Sequence, residues 1–120
     1  MTESELEQYA ALKAAQVVLS DELTFIESEL GRYGVQREQR CRLTAKRDAL
    51  SAELIAKEEE IVDRMCAIEQ AIESLEDETE RTVLRMLYIL GFTQEKAAER
   101  IPCHVRTIQR IKERAIEKLS

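Results

Sequence analysis

Apolar residues in the first part of the chain recur at alternating steps of three and four positions. From residue 3 to residue 30 they form a heptad seam that one glutamine interrupts, a pattern typical of helices that pair along their length. The seam consists of Tyr9, Leu12, Gln16, Leu19, Leu23, Ile26 and Leu30. Gly31 and Gly34 follow, and we expect Gly31 to end the helix in the left-handed conformation that suits glycine.

A second segment, residues 35–75, contains neither glycine nor proline. Its apolar residues recur every eleven positions, which gives about 3.67 residues per turn and favours a nearly straight helix. The two series are Leu43, Leu54 and Met65, and Leu50, Ile61 and Ile72. Because so long and polar a helix is not stable alone, it must pair with the first helix, with a second copy of itself, or with both.

After residue 76 the pattern changes to three shorter helices. We expect the first over residues 80–90, with Thr79 as its N-cap and Gly91 in the left-handed position after its end. One face of this helix is apolar and contains Val83, Leu84, Leu87 and Tyr88.

The two helices that follow have the spacing of a helix-turn-helix. Thr93 caps residues 94–101, and Pro102 stops that helix because its ring disfavours α geometry in the preceding residue. Counting from Gln94, the motif requires a small residue at position five and apolar residues at five further positions. These residues are Ala98, then Ala97, Ile101, Cys103, Ile108 and Ile111. The last helix covers residues 105–119.

The strings "ERTVLRMLYILGFTQEKAAERI" and "TIQRIKERAIEKL" carry a family resemblance over about the last 45 residues. This segment resembles region 4, the promoter-reading module of sigma-70-type factors, and more closely the small phage regulators of the ArpU/RinA-like kind. The resemblance implies a transcription regulator that binds double-stranded DNA. Two residues depart from the family pattern: Pro102 stands where a glycine or polar residue is usual, and His104 stands where serine or threonine is usual.

In such a module the last helix enters the major groove through its N-terminal turns. We expect base contacts from His104, Val105, Arg106, Gln109 and Arg110, with the arginines suited to guanine and the glutamine to adenine. We expect phosphate contacts from Thr93, Gln94, Arg100, Thr107, Lys112 and Arg114. For Arg114 and Lys118 the alternative is pairing with Glu113 and Glu117 on neighbouring turns.

Charge is distributed unevenly along the chain. Residues 1–79 contain 9 Lys and Arg against 19 Asp and Glu, whereas residues 80–120 contain 9 against 5. An acidic body with a basic end suits a protein that presents that end to a polyanion. Within the acidic part, one basic stretch consists of Arg32, Arg37, Arg40, Arg42, Lys46 and Arg47, with Glu38 as its one acid. It is either a solvated face or a second contact for nucleic acid or an acidic partner.

Residue chemistry argues against an enzyme. His104 is the only histidine, so the chain lacks a zinc-binding pair of histidines. The sequence also shows no recognisable Ser-His-Asp set. Glycine-rich phosphate loops are absent as well. The three cysteines are odd in number and widely spaced, which fits a reducing cytoplasm. The acidic N-terminus is unlike a secretory signal, and no window is apolar enough for a membrane span.

The sequence therefore predicts an all-α protein, with a long N-terminal helical hairpin or coiled coil in residues 1–76 and a helix-turn-helix in residues 77–120. We expect a cytoplasmic DNA-binding regulator without metal or cofactor, dimeric through its long helices, with RNA polymerase as a further partner. Two alternatives stay open: a DNA-packaging adaptor of the small-terminase kind, and an acidic coiled-coil interaction protein that does not bind DNA.

Overall fold

A computed structural model describes all 120 residues, and they form helices joined by short turns, without strands. The predicted all-α class is confirmed. None of the helices combines the length and hydropathy that crossing a membrane requires. The helices are α1 (Glu3–Leu30), α2 (Arg37–Glu73), α3 (Glu78–Leu84), α4 (Gln94–Arg100) and α5 (Val105–Leu119), and a π-helical turn (Arg85–Ile89) directly follows α3.

The chain divides into two compact units. The first, which we call the hairpin unit, is Ala11–Val62; the second, which we call the C-terminal unit, combines Met1–Ala10 with Asp63–Ser120. The C-terminal unit is thus larger than the predicted segment 77–120, because the start of α1 and the end of α2 belong to it. The boundary at residue 76 stays a prediction of where the DNA-binding segment begins.

In the hairpin unit α1 and α2 run antiparallel within one chain. Ile26 and Leu50 are buried, and the ammonium of Lys46 lies 3.9 Å from the carboxylate of Glu22. Every residue of the predicted seams is buried or half-buried, in α1 and in α2 alike. The seams of the two helices therefore pack on each other inside the chain, one of the pairings that the pattern left open.

The loop between α1 and α2 uses a different glycine from the one expected. Gly34 has a φ of 84°, whereas Gly31 does not have positive φ. The Gly31 prediction was wrong because its N–H still donates helically, to the carbonyl oxygens of Glu27 at 3.1 Å and Ser28 at 3.2 Å. At the end of α1 the carbonyl oxygen of Leu30 accepts a hydrogen bond from α2, where the guanidinium of Arg40 donates to it at 2.9 Å.

Asp77, not Thr79, caps α3. Its carboxylate accepts hydrogen bonds from the backbone N–H groups of Thr79, at 2.8 Å, and Glu80, at 3.3 Å. The acidic stretch before α3 contains several possible caps, and a carboxylate has the advantage of favourable charge at a helix N-terminus. The α-helix therefore starts two residues earlier than predicted.

The segment predicted as one α-helix over residues 80–90 changes its pitch part-way. Beyond Leu84 the chain widens into the π-helical turn, where the N–H of Leu90 donates to the Arg85 carbonyl five residues back, at 2.9 Å. Gly91 then takes a φ of 72°, as expected for a residue after a helix end. The N–H of Phe92 donates to the Met86 carbonyl at 2.8 Å and leads the chain toward α4.

Candidate nucleic-acid interface

The turn between α4 and α5 is built as the sequence predicts. Thr93 caps α4 by accepting a hydrogen bond from the Lys96 N–H at 3.1 Å. At the other end Ile101 is extended, with φ −109° and ψ 101°, as expected because the ring of Pro102 disfavours α geometry there. The Cys103 N–H then donates to the Ala98 carbonyl at 3.2 Å and closes the turn without a left-handed residue.

His104 begins α5 through its backbone alone. It is extended, with φ −76° and ψ 149°, and its carbonyl accepts from the N–H groups of Thr107 at 2.9 Å and Ile108 at 3.3 Å. Its exposed side chain forms no capping hydrogen bond. Cys103, by contrast, is half-buried and packs against the core, so the two neighbouring side chains do not combine into a site.

One apolar cluster holds α5 in place against α3 and α4. Ala98, the small residue of the motif, is 8% exposed, and Ile108 opposite it is completely buried. Full burial of an isoleucine contributes about 1.5–3 kcal/mol. Ile101 and Cys103 pack against this cluster half-buried, so all six positions of the predicted spacing face the interior. The cluster consists of Val83, Met86, Ala97, Ala98, Ile108 and Ile111.

Val105 belongs to this interior as well, which corrects the expectation that it is exposed for base contact. It is half-buried and packs against the cluster. At 100° per residue Val105 lies on the same side of α5 as Ile108 and Lys112, roughly opposite Arg110. The six positions of the helix-turn-helix spacing do not include Val105, so the spacing alone does not predict its burial.

A buried carboxylate ties α3 to the far end of α5. The side chain of Glu80 is fully buried, with the ammonium of Lys118 hydrogen-bonded to it and Nε of Arg114 at 3.5 Å from Oε1. Its other oxygen, Oε2, has no hydrogen-bond partner. The two cations therefore pair across helices, and not with Glu113 and Glu117 on neighbouring turns as the alternative had it. Arg114 is also less available for phosphate.

Three exposed donors remain at the start of α5. Arg106 and Arg110 are exposed and have no ion-pair partner in the chain, in contrast to the two cations near the C-terminus of the helix. Gln109 lies between them, and its Nε2 donates to Oε1 of Gln94, the first residue of α4, at 2.8 Å. The structure thus links one predicted base contact to one predicted phosphate contact.

Of the other predicted phosphate contacts, Thr93, Arg100 and Thr107 are exposed, and Lys112 is not free. The Lys112 side chain is 22% exposed, and its ammonium lies 3.7 Å from the carboxylate of Glu3 at the start of α1. A pair between residues more than a hundred positions apart leaves no trace in sequence spacing.

Lys96 is a cation of this surface that sequence reasoning missed. Its ammonium lies 4.1 Å from the centroid of the Phe92 ring, and the guanidinium of Arg100 lies 5.7 Å from the same centroid. Both cations are exposed. The signal was present, since Phe92, Lys96 and Arg100 are spaced four apart, which places the two cations on one face of α4.

Two carboxylates at the start of α1 also act on Tyr88 in the π-helical turn. Burial and the carboxylates of Glu3 and Glu7 raise the pKa of the Tyr88 hydroxyl to about 12. Glu69 of α2 forms an ion pair with Arg85 in the same turn, at 3.3 Å. Carboxylates at the start of α1 and near the end of α2 therefore interact with the π-helical turn, within the C-terminal unit.

The three cysteines are free thiols, and no group of three His, Cys, Asp or Glu side chains is arranged to hold a metal ion. The chemistry that this surface offers is that of exposed guanidinium, ammonium and amide donors. Such groups recognise anions and the hydrogen-bonding edges of bases.

A comparison with known protein families matches residues 36–120 to a family described as protein of unknown function (DUF1492). The matched region begins directly before α2 and continues to the end of the chain. Neither a curated protein nor a solved structure matches the chain.

Proposed function

The chain belongs to the DUF1492 family, and we propose that it is a transcription regulator of phage origin that reads promoter DNA through α4 and α5. The observation that carries the proposal is the pair Arg106 and Arg110. Both are exposed at the start of a helix whose other face is buried, and both lack an ion-pair partner. Two unneutralised guanidinium groups side by side on a fixed helix suit an anionic partner.

The amide pair supports base reading at the same place. Because Gln94 accepts from Nε2 of Gln109, the Gln109 amide is held with its oxygen free. A preordered amide beside two arginines can discriminate adenine and guanine in the major groove, each good bidentate contact contributing about 1–3 kcal/mol. His104 is exposed at the same end of α5 and adds a further donor or acceptor.

Contacts to the DNA phosphates would come from the exposed residues around Arg106, Gln109 and Arg110. Lys96 and Arg100 on α4 share the Phe92 ring, which restrains both cations. Together with Thr93 and Thr107 they form a polar and basic rim that suits the phosphates on either side of a groove. Lys112 and Arg114 contribute less, since carboxylates of the chain already neutralise them.

We assign the long helices to assembly. Val18 and Phe25, seven residues apart on one face of α1, are 64% and 63% exposed, and this face would pair with a second copy to form a homodimer. A dimer suits promoter DNA because two modules can bind two half-sites. The acidic outer surface of α2 is the proposed contact for RNA polymerase.

The test is binding of the full-length protein to promoter-sized duplexes, measured by fluorescence anisotropy at several salt concentrations. The duplexes come from a genome-wide map of bound DNA. The double variant Arg106→Ala and Arg110→Ala should weaken binding at least about thirtyfold, since two base contacts are lost. The control Lys13→Ala with Lys57→Ala removes the same charge from the hairpin unit and should leave duplex affinity nearly unchanged.

Two results would contradict the proposal. Absence of binding at low salt, or binding that the arginine double variant leaves unchanged, would favour the acidic interaction protein. A ring of eight or more subunits in solution, measured by light scattering, would favour the packaging adaptor.

A further inference from the structure

The tip of the hairpin unit, residues 31–47, contains six basic residues and one acidic residue. Four of the six cations have partners inside the unit: Arg32 pairs with Glu29 at 3.0 Å, Arg47 with Asp48 at 3.3 Å, Lys46 with Glu22 at 3.9 Å, and Arg40 donates to the Leu30 carbonyl. Arg37 and Arg42 are exposed and have no ion-pair partner.

Tyr33 lines the same cleft as Arg42 and is fully exposed. It precedes Gly34, whose φ of 84° turns the chain back toward α2. A cleft opens beside the ring, and its lining includes Arg32, Gln39 and Arg42. An aromatic side chain that buries none of its surface in the fold leaves its ring faces open to a ligand.

The rest of the hairpin unit is acidic. Residues 11–30 and 48–62 together hold nine Asp and Glu against two Lys. A polyanion would therefore be repelled along the shafts of both helices and attracted at the tip alone. The one carboxylate that lines the cleft, Glu29, is paired with Arg32.

We propose that the hairpin tip binds single-stranded nucleic acid, with Tyr33 stacking on a base and Arg37 and Arg42 binding the flanking phosphates. A free aromatic face beside unpaired arginines is the combination by which proteins hold single strands without reading sequence. A duplex hides its base faces inside the stack, and an acidic peptide needs no ring. The free tyrosine therefore favours a single strand over both.

The site lies in the other compact unit from α4 and α5 and does not rest on the proposed function. The experiment uses the full-length chain carrying Arg106→Ala and Arg110→Ala, which removes the proposed duplex-reading groups. A fluorescent oligothymidine of about 12 nucleotides, within the usual site size of such surfaces, is titrated at several salt concentrations. A duplex of equal length and a poly-glutamate of equal charge are titrated as well.

We expect this background to bind the oligothymidine more tightly than the duplex or the poly-glutamate. Tyr33→Ala should weaken binding about tenfold, and Tyr33→Phe should restore it, because stacking needs the ring and not the hydroxyl. Arg37→Ala with Arg42→Ala should lower the slope of log affinity against log salt by about 1.4. Lys13→Ala with Lys57→Ala is the charge-matched control and should change neither quantity.

Equal affinity for the strand and the duplex, or no effect of Tyr33→Ala, would overturn the proposal, since a ring would then play no part. Poly-glutamate binding as tight as that of the oligothymidine would overturn it in favour of an acidic protein partner. Circular dichroism of every variant shows whether a loss of binding reflects the tip or a loss of helix. Duplex binding by the unmodified chain is measured separately, so failure of either proposal leaves the other testable.

Discussion

At the scale of single residues, the most consequential group is the buried carboxylate of Glu80. Burying a charge is costly unless it is paired and hydrogen-bonded. Here Oε1 of Glu80 contacts the cations of both Lys118 and Arg114, whereas Oε2 has no hydrogen-bond partner. The cost of removing a partner is thus set by what remains buried and unpaired.

We predict that Lys118→Met destabilises the protein more than Glu80→Gln does. The lysine variant leaves a buried carboxylate with one longer contact and should lower the free energy of unfolding by about 3 kcal/mol. The glutamine variant removes the buried charge and leaves two half-exposed cations that water can solvate, so about 1 kcal/mol is expected. Urea unfolding at neutral pH measures both values. The reverse order would show that the carboxylate is not desolvated.

Tyr88 makes stability depend on alkaline pH. Its pKa is raised from 10.0 to about 12 in the folded chain, so between these values the folded state keeps a proton that the unfolded state has lost. The stabilisation is complete below pH 10 and disappears as pH rises toward 12, amounting to at most about 3 kcal/mol. We predict that Tyr88→Phe removes this dependence. Urea unfolding at pH 9 and pH 11 gives the difference in the free energy of unfolding between the two proteins, in which the effect of lysine titration cancels. The same difference at both pH values would contradict the prediction.

At the scale of elements, α5 begins without a side-chain cap. His104 occupies the N-cap position with the right backbone angles but forms no capping hydrogen bond. We predict that His104→Ser stabilises the protein by about 1 kcal/mol, because a serine hydroxyl can accept a backbone N–H of the first turn. Thermal unfolding should show a rise in Tm of about 4 °C. His104→Ala is the control and should show no rise, since it offers no acceptor.

The elements were largely predictable from the spacing of apolar residues, and their ends from turn chemistry. Gly91 and the residue before Pro102 behave as local rules require, because those rules act within a few residues. The π-helical turn was not predictable from the sequence. It contains Met86, which is buried in the core, and its residues have no composition or spacing that distinguishes it from an α-helix. The end of α1 and the start of α3 were predicted at the wrong residue, because several glycines or capping side chains lie close together at each place.

Site residues were predictable where one helix face decides the outcome and not where distant elements meet. Arg106, Gln109 and Arg110 are exposed together because the opposite face of α5 is apolar. Lys112 and Arg114 share that helix, yet Glu3 and Glu80 neutralise them from elsewhere in the fold. Such pairs follow from tertiary packing, and a single sequence contains no periodic signal for them.

At the scale of the whole molecule, the exposed apolar residues of α1 bear on assembly. A two-fold antiparallel pairing centred on Val18 would set the large Phe25 of one copy against the small Ala11 of the other. We predict that Val18→Glu with Phe25→Glu converts the proposed dimer to a monomer, because four carboxylates would meet in one interface. Light scattering measures the mass. Glu58→Gln with Glu59→Gln, which changes charge on α2, is the control and should leave the proposed dimer intact.

The make-up of the C-terminal unit limits how α4 and α5, the proposed DNA-reading helices, can be moved into another protein. Residues 1–10 and 63–76 are the scaffold of that unit, with Leu6 and Ile72 completely buried in it. A fusion protein that borrowed only residues 77–120 would leave these neighbours behind and expose the surfaces that they cover. A transplanted segment therefore has to include the parts of α1 and α2 that belong to the C-terminal unit. If α4 and α5 read DNA as proposed, exchange of DNA specificity should proceed by single side-chain changes on α5 and not by cutting the gene at the start of α3.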